Sequence, residues 1–280
     1  MTVIGTFVSS KEGGWIGGIH TLTIKARLRF VPNDNRENEN APAFRVFVGR
    51  SRVGDAWQAT SSGEQPNVRR ERIFALGNSE GTLHALNYQV HDPDLSLAGL
   101  VLTGPPGRSV GAVSRAQLDA QAKSFPNGEQ LLALYDAAVA RFLAGEPAAP
   151  DPALPEGVRT LIAALESPYN LPFARELWSA DAAAPLSEVR VPVLVIIGKK
   201  DLQVDWQADA GPLQRAAAGL PDVSFFFPEN ANHVLKHESR PREELAQGEA
   251  MQRYNAADAE LDLETVRAIV AWLTGAQGED

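Results

Sequence analysis

The sequence predicts an α/β fold for the last three-quarters of the chain, a parallel sheet with helices, preceded by a small antiparallel β module. Three observations carry this. Val193 to Ile197 is a continuous apolar run, typical of a strand buried on both faces, and 97–103 and 223–227 read as further buried strands. Long helical patterns lie between them. Residues 20–31 instead alternate: the even positions read His, Leu, Ile, Ala, Leu, Phe and the odd ones Thr, Thr, Lys, Arg, Arg, Val. That period of two marks a strand with one wet face.

Taken in order, the front module is β. The alternating stretch is expected to pair with "VIGTFV" and "AFRVFVG", and the polar "PNDNRENENAP" between them reads as a solvated hairpin tip. The glycine-rich run Gly13-Gly14-Trp15-Ile16-Gly17-Gly18 reads as a turn. A joint is expected near Gln65 to Arg70, giving domains 1–70 and 71–280. "RIFAL" then reads as a buried strand and "EGTLHALNYQV" as a helix. After the strand at 97–103, the span 109–185 is helical, rich in alanine and punctuated by proline. Leu131, Leu134, Tyr135, Val139 and Phe142 form an apolar stripe there. The final helix, "LETVRAIVAWL", is expected to place Leu263, Val266, Ile269, Val270 and Leu273 against the sheet.

The chemistry starts at Gly77-Asn78-Ser79-Glu80-Gly81. A serine flanked by glycines between a strand and a helix suits a sharp turn that lifts the hydroxyl above the sheet, beside a helix N-terminus that favours negative charge. A glycine-flanked structural turn fits the same five residues. A serine nucleophile needs a base, and the base an orienting acid. Asp201 follows the strand at 193–197 and His233 follows the strand at 223–227, so Ser79, Asp201 and His233 each stand just past a predicted strand, where open α/β sheets carry their sites. Asp205 is the rival acid and sits farther from the strand end. His237 is the rival histidine. His84, five residues after Ser79, should not share its helix face and reads as a packing residue. His20 and His91 have no supporting context.

From about Arg72 onward the chain resembles the serine α/β-hydrolases of the monoacylglycerol-lipase and serine-aminopeptidase type. The pieces that carry the resemblance are "LGNSEGTLHAL", "LAGLVLTGPPGRS", "VPVLVIIGKKDLQVDW", "NANHVLK" and "LDLETVRAIVAWL". It implies a truncated α/β-hydrolase sheet with a helical cap at about 109–185, Ser79 as nucleophile, His233 as base and acid, and Asp201 as orienter. One oxyanion donor is then the backbone N–H of Glu80. Asn78 stands where such enzymes usually carry histidine. The strands that precede the elbow in a complete member, one of whose loops gives the other oxyanion donor, have no match in residues 1–71. That segment resembles a small β-rich bacterial family of unknown function, most clearly in "NAPAFRVFVGR". The glycine run 13–18 is the candidate for the missing donor, with a plain hairpin as the competing reading.

The expected activity is hydrolysis of carboxylic esters with short to medium acyl chains. An elbow serine argues against dehalogenases and epoxide hydrolases, which use aspartate there; the triad does not choose among ester, amide and carbon–carbon substrates. The alternative is a non-catalytic fusion or interaction protein that retains the triad. A net charge of −9 over 280 residues disfavours broad nucleic-acid binding despite Lys25, Arg27, Arg29 and Arg45. There is no cysteine, hence no disulfide or thiolate metal site. No cofactor or metal is expected, and the partner is a small-molecule ester. The N-terminus lacks the pattern of a signal peptide and no apolar run approaches a membrane span, so cytoplasmic residence is the default. An open sheet edge at "RIFAL" is expected to be covered by residues 20–31 or "AFRVFVGR", and by a second copy in a homodimer.

Overall fold

The computed structural model describes residues 5–11, 13–20, 25–34, 43–48, 51–56, 73–91, 97–168, 170–254, 256 and 258–275. The chain divides into two compact units, Met1–Asn67 and Val68–Asp280.

The first unit is a five-stranded antiparallel sheet in sequential order: β1 (Gly5–Ser9), β2 (Trp15–His20), β3 (Lys25–Pro32), β4 (Phe44–Val48) and β5 (Ser51–Ala56). The alternating stretch is not one strand: β2 ends at His20 and β3 begins at Lys25, and residues 21–24 lie outside the described ones. The tip at 35–42 and the joint at 65–70 lie outside them too. Where a glycine-rich turn was expected, Trp15 to His20 forms a strand. Only Gly13 and Gly14 shape the β1–β2 hairpin, at φ +84° and +74°, and Gly13 N–H donates to the Ser10 carbonyl at 3.2 Å. A Cβ on Gly14 would stand 1.9 Å from the Phe30 carbonyl oxygen, so glycine is demanded here by the sheet itself.

The second unit is a four-stranded parallel sheet, β6 (Phe74–Asn78), β7 (Gly99–Thr103), β8 (Val193–Ile196) and β9 (Val223–Phe226), with neighbours in chain order. The helix α1 (Glu80–His91) follows β6. The pleat of the two central strands sorts their residues between two layers. Leu100, Leu102, Val193, Val195 and Ile197 face Leu83 and Leu86 of α1, Leu186 of α6 (Ala183–Leu186) and Leu213 of α7 (Ala210–Ala216). Val101, Leu194 and Ile196 face Ile269, Trp272 and Leu273 of the last helix, α9 (Leu263–Gly275). Each such buried leucine or valine contributes about 1.5–3 kcal/mol of transfer free energy.

Between β7 and β8 stand α2 (Val110–Ala122), α3 (Gly128–Leu143), α4 (Glu156–Leu165) and α5 (Leu171–Ser179). They form a helical cap with a core of its own, built on Leu131, Tyr135, Phe142, Ile162 and Trp178. A short helix, α8 (Gln247–Arg253), precedes α9.

Two expectations need correction. The apolar stripe of α9 is shifted. Leu263 and Val270 are exposed, while Thr265, Ile269, Trp272 and Leu273 turn inward. Trp272 is the cause: its ring meets Phe74 edge-on at 5.7 Å and sits over Gly99, where a Cβ would be 2.8 Å from it. Nor do residues 20–31 or "AFRVFVGR" complete the parallel sheet. β3 and β4 are interior strands of their own sheet, with both edges used, and the four-stranded sheet ends at β6.

Candidate active site

Ser79 occupies the single residue between β6 and α1. Its φ is +53°, a left-handed conformation that a non-glycine residue rarely adopts. Two features hold the turn. Ser79 N–H donates to the Thr103 carbonyl at 2.8 Å, which fixes the elbow to the end of β7, and Thr82 N–H donates to the Ser79 carbonyl at 3.0 Å. Gly77 lets strand and helix approach: a Cβ there would lie 2.5 Å from the Gly81 carbonyl oxygen. Glu80 N–H opens α1, one of the helix-start donors that have no partner within the helix.

Asp201 and His233 lie together. Asp201 follows β8, is 1% exposed, and its Oδ1 accepts from Gln203 N–H (2.8 Å) and Val204 N–H (2.9 Å). That leaves Oδ2 for His233 Nδ1 at 2.8 Å. The residue His233, 5% exposed, stands in the loop after β9. The contact fixes the imidazole so that Nδ1 carries the proton toward the carboxylate and Nε2 is left as the basic nitrogen. The floor beneath the pair is Gly104 at the end of β7, where a Cβ would be 3.1 Å from the imidazole and 3.4 Å from the carboxylate. Among the described residues Ser79 Oγ makes no hydrogen bond, so the acid–base half of the constellation is joined and the serine–histidine contact is not made. In unliganded enzymes such contacts often close only around a substrate.

The rivals are engaged elsewhere. Asp205 Oδ1 accepts from Gln207 and Ala208 N–H, and its Oδ2 accepts from Arg242. His237 Nδ1 pairs with Asp262 at 3.0 Å. His84 is an exposed residue that reaches Glu80 at 3.2 Å and stacks on Phe173 at 6.0 Å, rather than a packing residue of the core.

Three further residues brace these segments, and two of them, Asp209 and Arg242, carried no readable signal in the sequence. Asp209 is fully buried and receives Arg108 through Nε (3.0 Å) and Nη2 (2.8 Å), with Asp205 N–H at 3.0 Å; hydrogen bonding to Asp209 first, then its charge, holds the Arg108 guanidinium more firmly protonated than usual. Arg242 donates to the Lys199 and Asp201 carbonyls, bracing the acid loop. Asn78 links the elbow to the histidine loop. Its only outward sign was a side chain able to donate, set between a strand and the serine.

A cavity of about 350 Å³ takes in Lys236, His237 and Arg240 but none of Ser79, Asp201 or His233. Its charges pair with one another, as Arg240 does with Glu238 and Arg253 with Asp258. Among the described residues no cluster of three or more His, Asp or Glu is arranged to hold a metal, and no helix is long and apolar enough to cross a membrane.

Residues 3–70 match a family described as "Protein of unknown function (DUF736)". No curated protein matches the chain. Among solved structures, the chain is similar to an esterase of Pyrococcus furiosus (17% identity over 58% of this chain and 45% of that one, TM-score 0.32). It is also similar to a monoacylglycerol lipase of Paleococcus ferrophilus (18%, 72% and 68%, TM-score 0.35) and an esterase of Exiguobacterium antarcticum (16%, 71% and 65%, TM-score 0.34). The chain thus spans less than half the length of the first of these. By its own topology the second unit is a parallel sheet in the order β6-β7-β8-β9, with helices α2 to α6 between its second and third strands.

Proposed function

We propose that this protein is a serine hydrolase of carboxylic esters with short to medium acyl chains. Ser79 Oγ attacks the ester carbonyl while His233 Nε2 takes its proton, and Asp201 stabilises the imidazolium. The proton passes to the departing alcohol, leaving an acyl group on Ser79. Water, deprotonated by the same nitrogen, then releases the acid. Glu80 N–H is one donor to the oxyanion.

The observation that supports this reading is a conjunction: a serine held at positive φ on a strand-to-helix turn, with a buried Asp–His pair at the ends of strands of the same sheet. A backbone outlier of that kind costs about 1–3 kcal/mol and persists only where the surrounding structure holds it. The test is a fluorophosphonate probe followed by peptide mass mapping. Covalent label on Ser79 is expected; its absence sinks the reading.

A second reading, a non-catalytic fusion protein, draws support from the lack, among the described residues, of a strand that pairs with the outer edge of β6, and from the unengaged Ser79 hydroxyl. It predicts no labelling in the same experiment. As further parts of the proposal, the chain forms a homodimer, resides in the cytoplasm and comprises domains 1–70 and 71–280. Light scattering, fractionation and limited proteolysis test these in turn.

A further inference from the structure

The side chain of Asn78 stands at the meeting point of the three segments that carry the proposed chemistry. Its Nδ2 lies 3.0 Å from the Thr103 hydroxyl, 3.3 Å from the Thr103 carbonyl and 3.0 Å from the carbonyl of His233 itself. Both carbonyls are acceptors only, so the amide must turn its NH₂ toward them. The Thr103 hydroxyl is fully buried and donates onward to the Gly77 carbonyl at 3.2 Å. Ser79 N–H uses the same Thr103 carbonyl. One amide therefore ties the residue before the serine, the end of β7 and the backbone of the histidine.

We infer that Asn78 is a positioning residue: its amide hydrogens hold the His233 backbone against the elbow, so that Nε2 stays within reach of Ser79 Oγ. The inference rests on the serine-hydrolase reading. Asp201 fixes the rotation of the imidazole through Nδ1, but a side-chain contact at one end does not fix how far the whole loop stands from β6. The Asn78 contact to the His233 carbonyl does. It also explains why aspartate, though the same size, is unsuited here: it would aim lone pairs at two carbonyl oxygens.

The test compares the full-length protein with Asn78→Ala, Asn78→Asp and Thr103→Val. Asn78→Ala is expected to lower kcat for p-nitrophenyl butyrate about 10²-fold, the scale of a 1 Å misplacement, with KM within about twofold of the parent. Asn78→Asp is expected to fall at least as far. Thr103→Val, which keeps the His233 contact, is expected to lose less. A second readout is the His233 imidazole NMR resonances, which should move in Asn78→Ala while those of His91 stay. This readout does not depend on turnover. A protein that never labels with fluorophosphonate refutes the hydrolase reading, and the resonances still decide whether Asn78 holds the histidine. Unchanged resonances, or an Asn78→Asp variant with full activity, overturn the inference.

Discussion

Strain and the proposed chemistry meet at Ser79. Its φ of +53° is one that glycine adopts freely and serine does not. Ser79→Ala keeps the strain and removes the proposed nucleophile; Ser79→Gly removes both. Both variants are expected to lose ester hydrolysis by about 10³-fold or more, as is His233→Ala, because such groups act as a unit. Ser79→Gly should nevertheless be more stable than Ser79→Ala, by about 1 kcal/mol in denaturant melts. Equal stabilities would mean that the elbow is not strained. Asp201→Asn should be severely impaired. Asp205→Asn should keep most activity, since asparagine can still accept from the Gln207 and Ala208 N–H groups. An essential Asp205 would reassign the orienting acid. The Gly14 position behaves differently from its sequence reading. A Cβ there strikes the Phe30 carbonyl, so Gly14→Ala should lower the melting temperature of the first unit and cannot serve as a clean probe of an oxyanion donor.

Single elements show which residues the chain spells out and which it hides. The strand at 193–197 was legible because burial on both faces demands an unbroken apolar run, and β8 lies inside it; β9 lies inside 223–227, but Ser224 is exposed and its neighbours are only half-buried, so that strand is not buried on both faces as expected. β2 was missed because "WIGGIH" spends two of six positions on glycine, which signals turns. β5, "SRVGDA", has no apolar run at all. The α9 stripe was misread because a Trp at 272 outcompetes a valine at 270 for the sheet, a choice that depends on Phe74 and Gly99 from distant parts of the chain. Ser79, Asp201 and His233 were readable as candidates because each stands in a turn or loop that follows a strand. Arg242 was not, and Asn78 showed only as the residue where the resembled enzymes carry histidine, since their roles reside in side-chain partners that no spacing predicts. The start of α9 gives an element-scale prediction. Asp262 Oδ1 accepts from Thr265 N–H (2.9 Å) and Oγ1 (2.7 Å), and Oδ2 from His237. Burial pushes the Asp262 carboxyl up, but these hydrogen bonds outweigh it and hold it below the ordinary carboxylate range. The unfolded chain therefore binds this proton more readily, and the contribution to stability is fully present above the unfolded value of about 3.9 and lost as pH falls through the lower folded one. Asp262→Ala should cost about 1 kcal/mol at neutral pH, in line with loss of a helix cap. The gap between variant and parent should shrink in melts below about pH 4. A gap that stays constant through that window would mean that the carboxylate charge is not what stabilises α9.

For the molecule as a whole, the outer edge of β6 matters most, since among the described residues no strand pairs with it. The Ile73 carbonyl accepts from Ala98 N–H and Ser79 N–H donates to Thr103, so residues 73 and 79 turn their backbone groups toward β7. By the alternation of a strand, Phe74, Leu76 and Asn78 turn theirs the other way. The side chains along this strand are apolar where water reaches them: Leu76 is 59% exposed and Ile73 40%. A sheet that begins with such an edge invites another strand. Pairing of two β6 edges about a twofold axis would use the same groups on both copies and close the sheet without a third partner. The full chain is therefore expected to run as a dimer by light scattering, and Leu76→Lys to run as a monomer. Because Leu76 lies outside the buried core, the variant should retain its melting temperature to within a few degrees. Its fluorophosphonate labelling should fall only if the edge also steadies the elbow two residues later. A parent protein that is monomeric at micromolar concentration, or a Leu76→Lys variant that remains dimeric, would show that β6 is not the dimer edge.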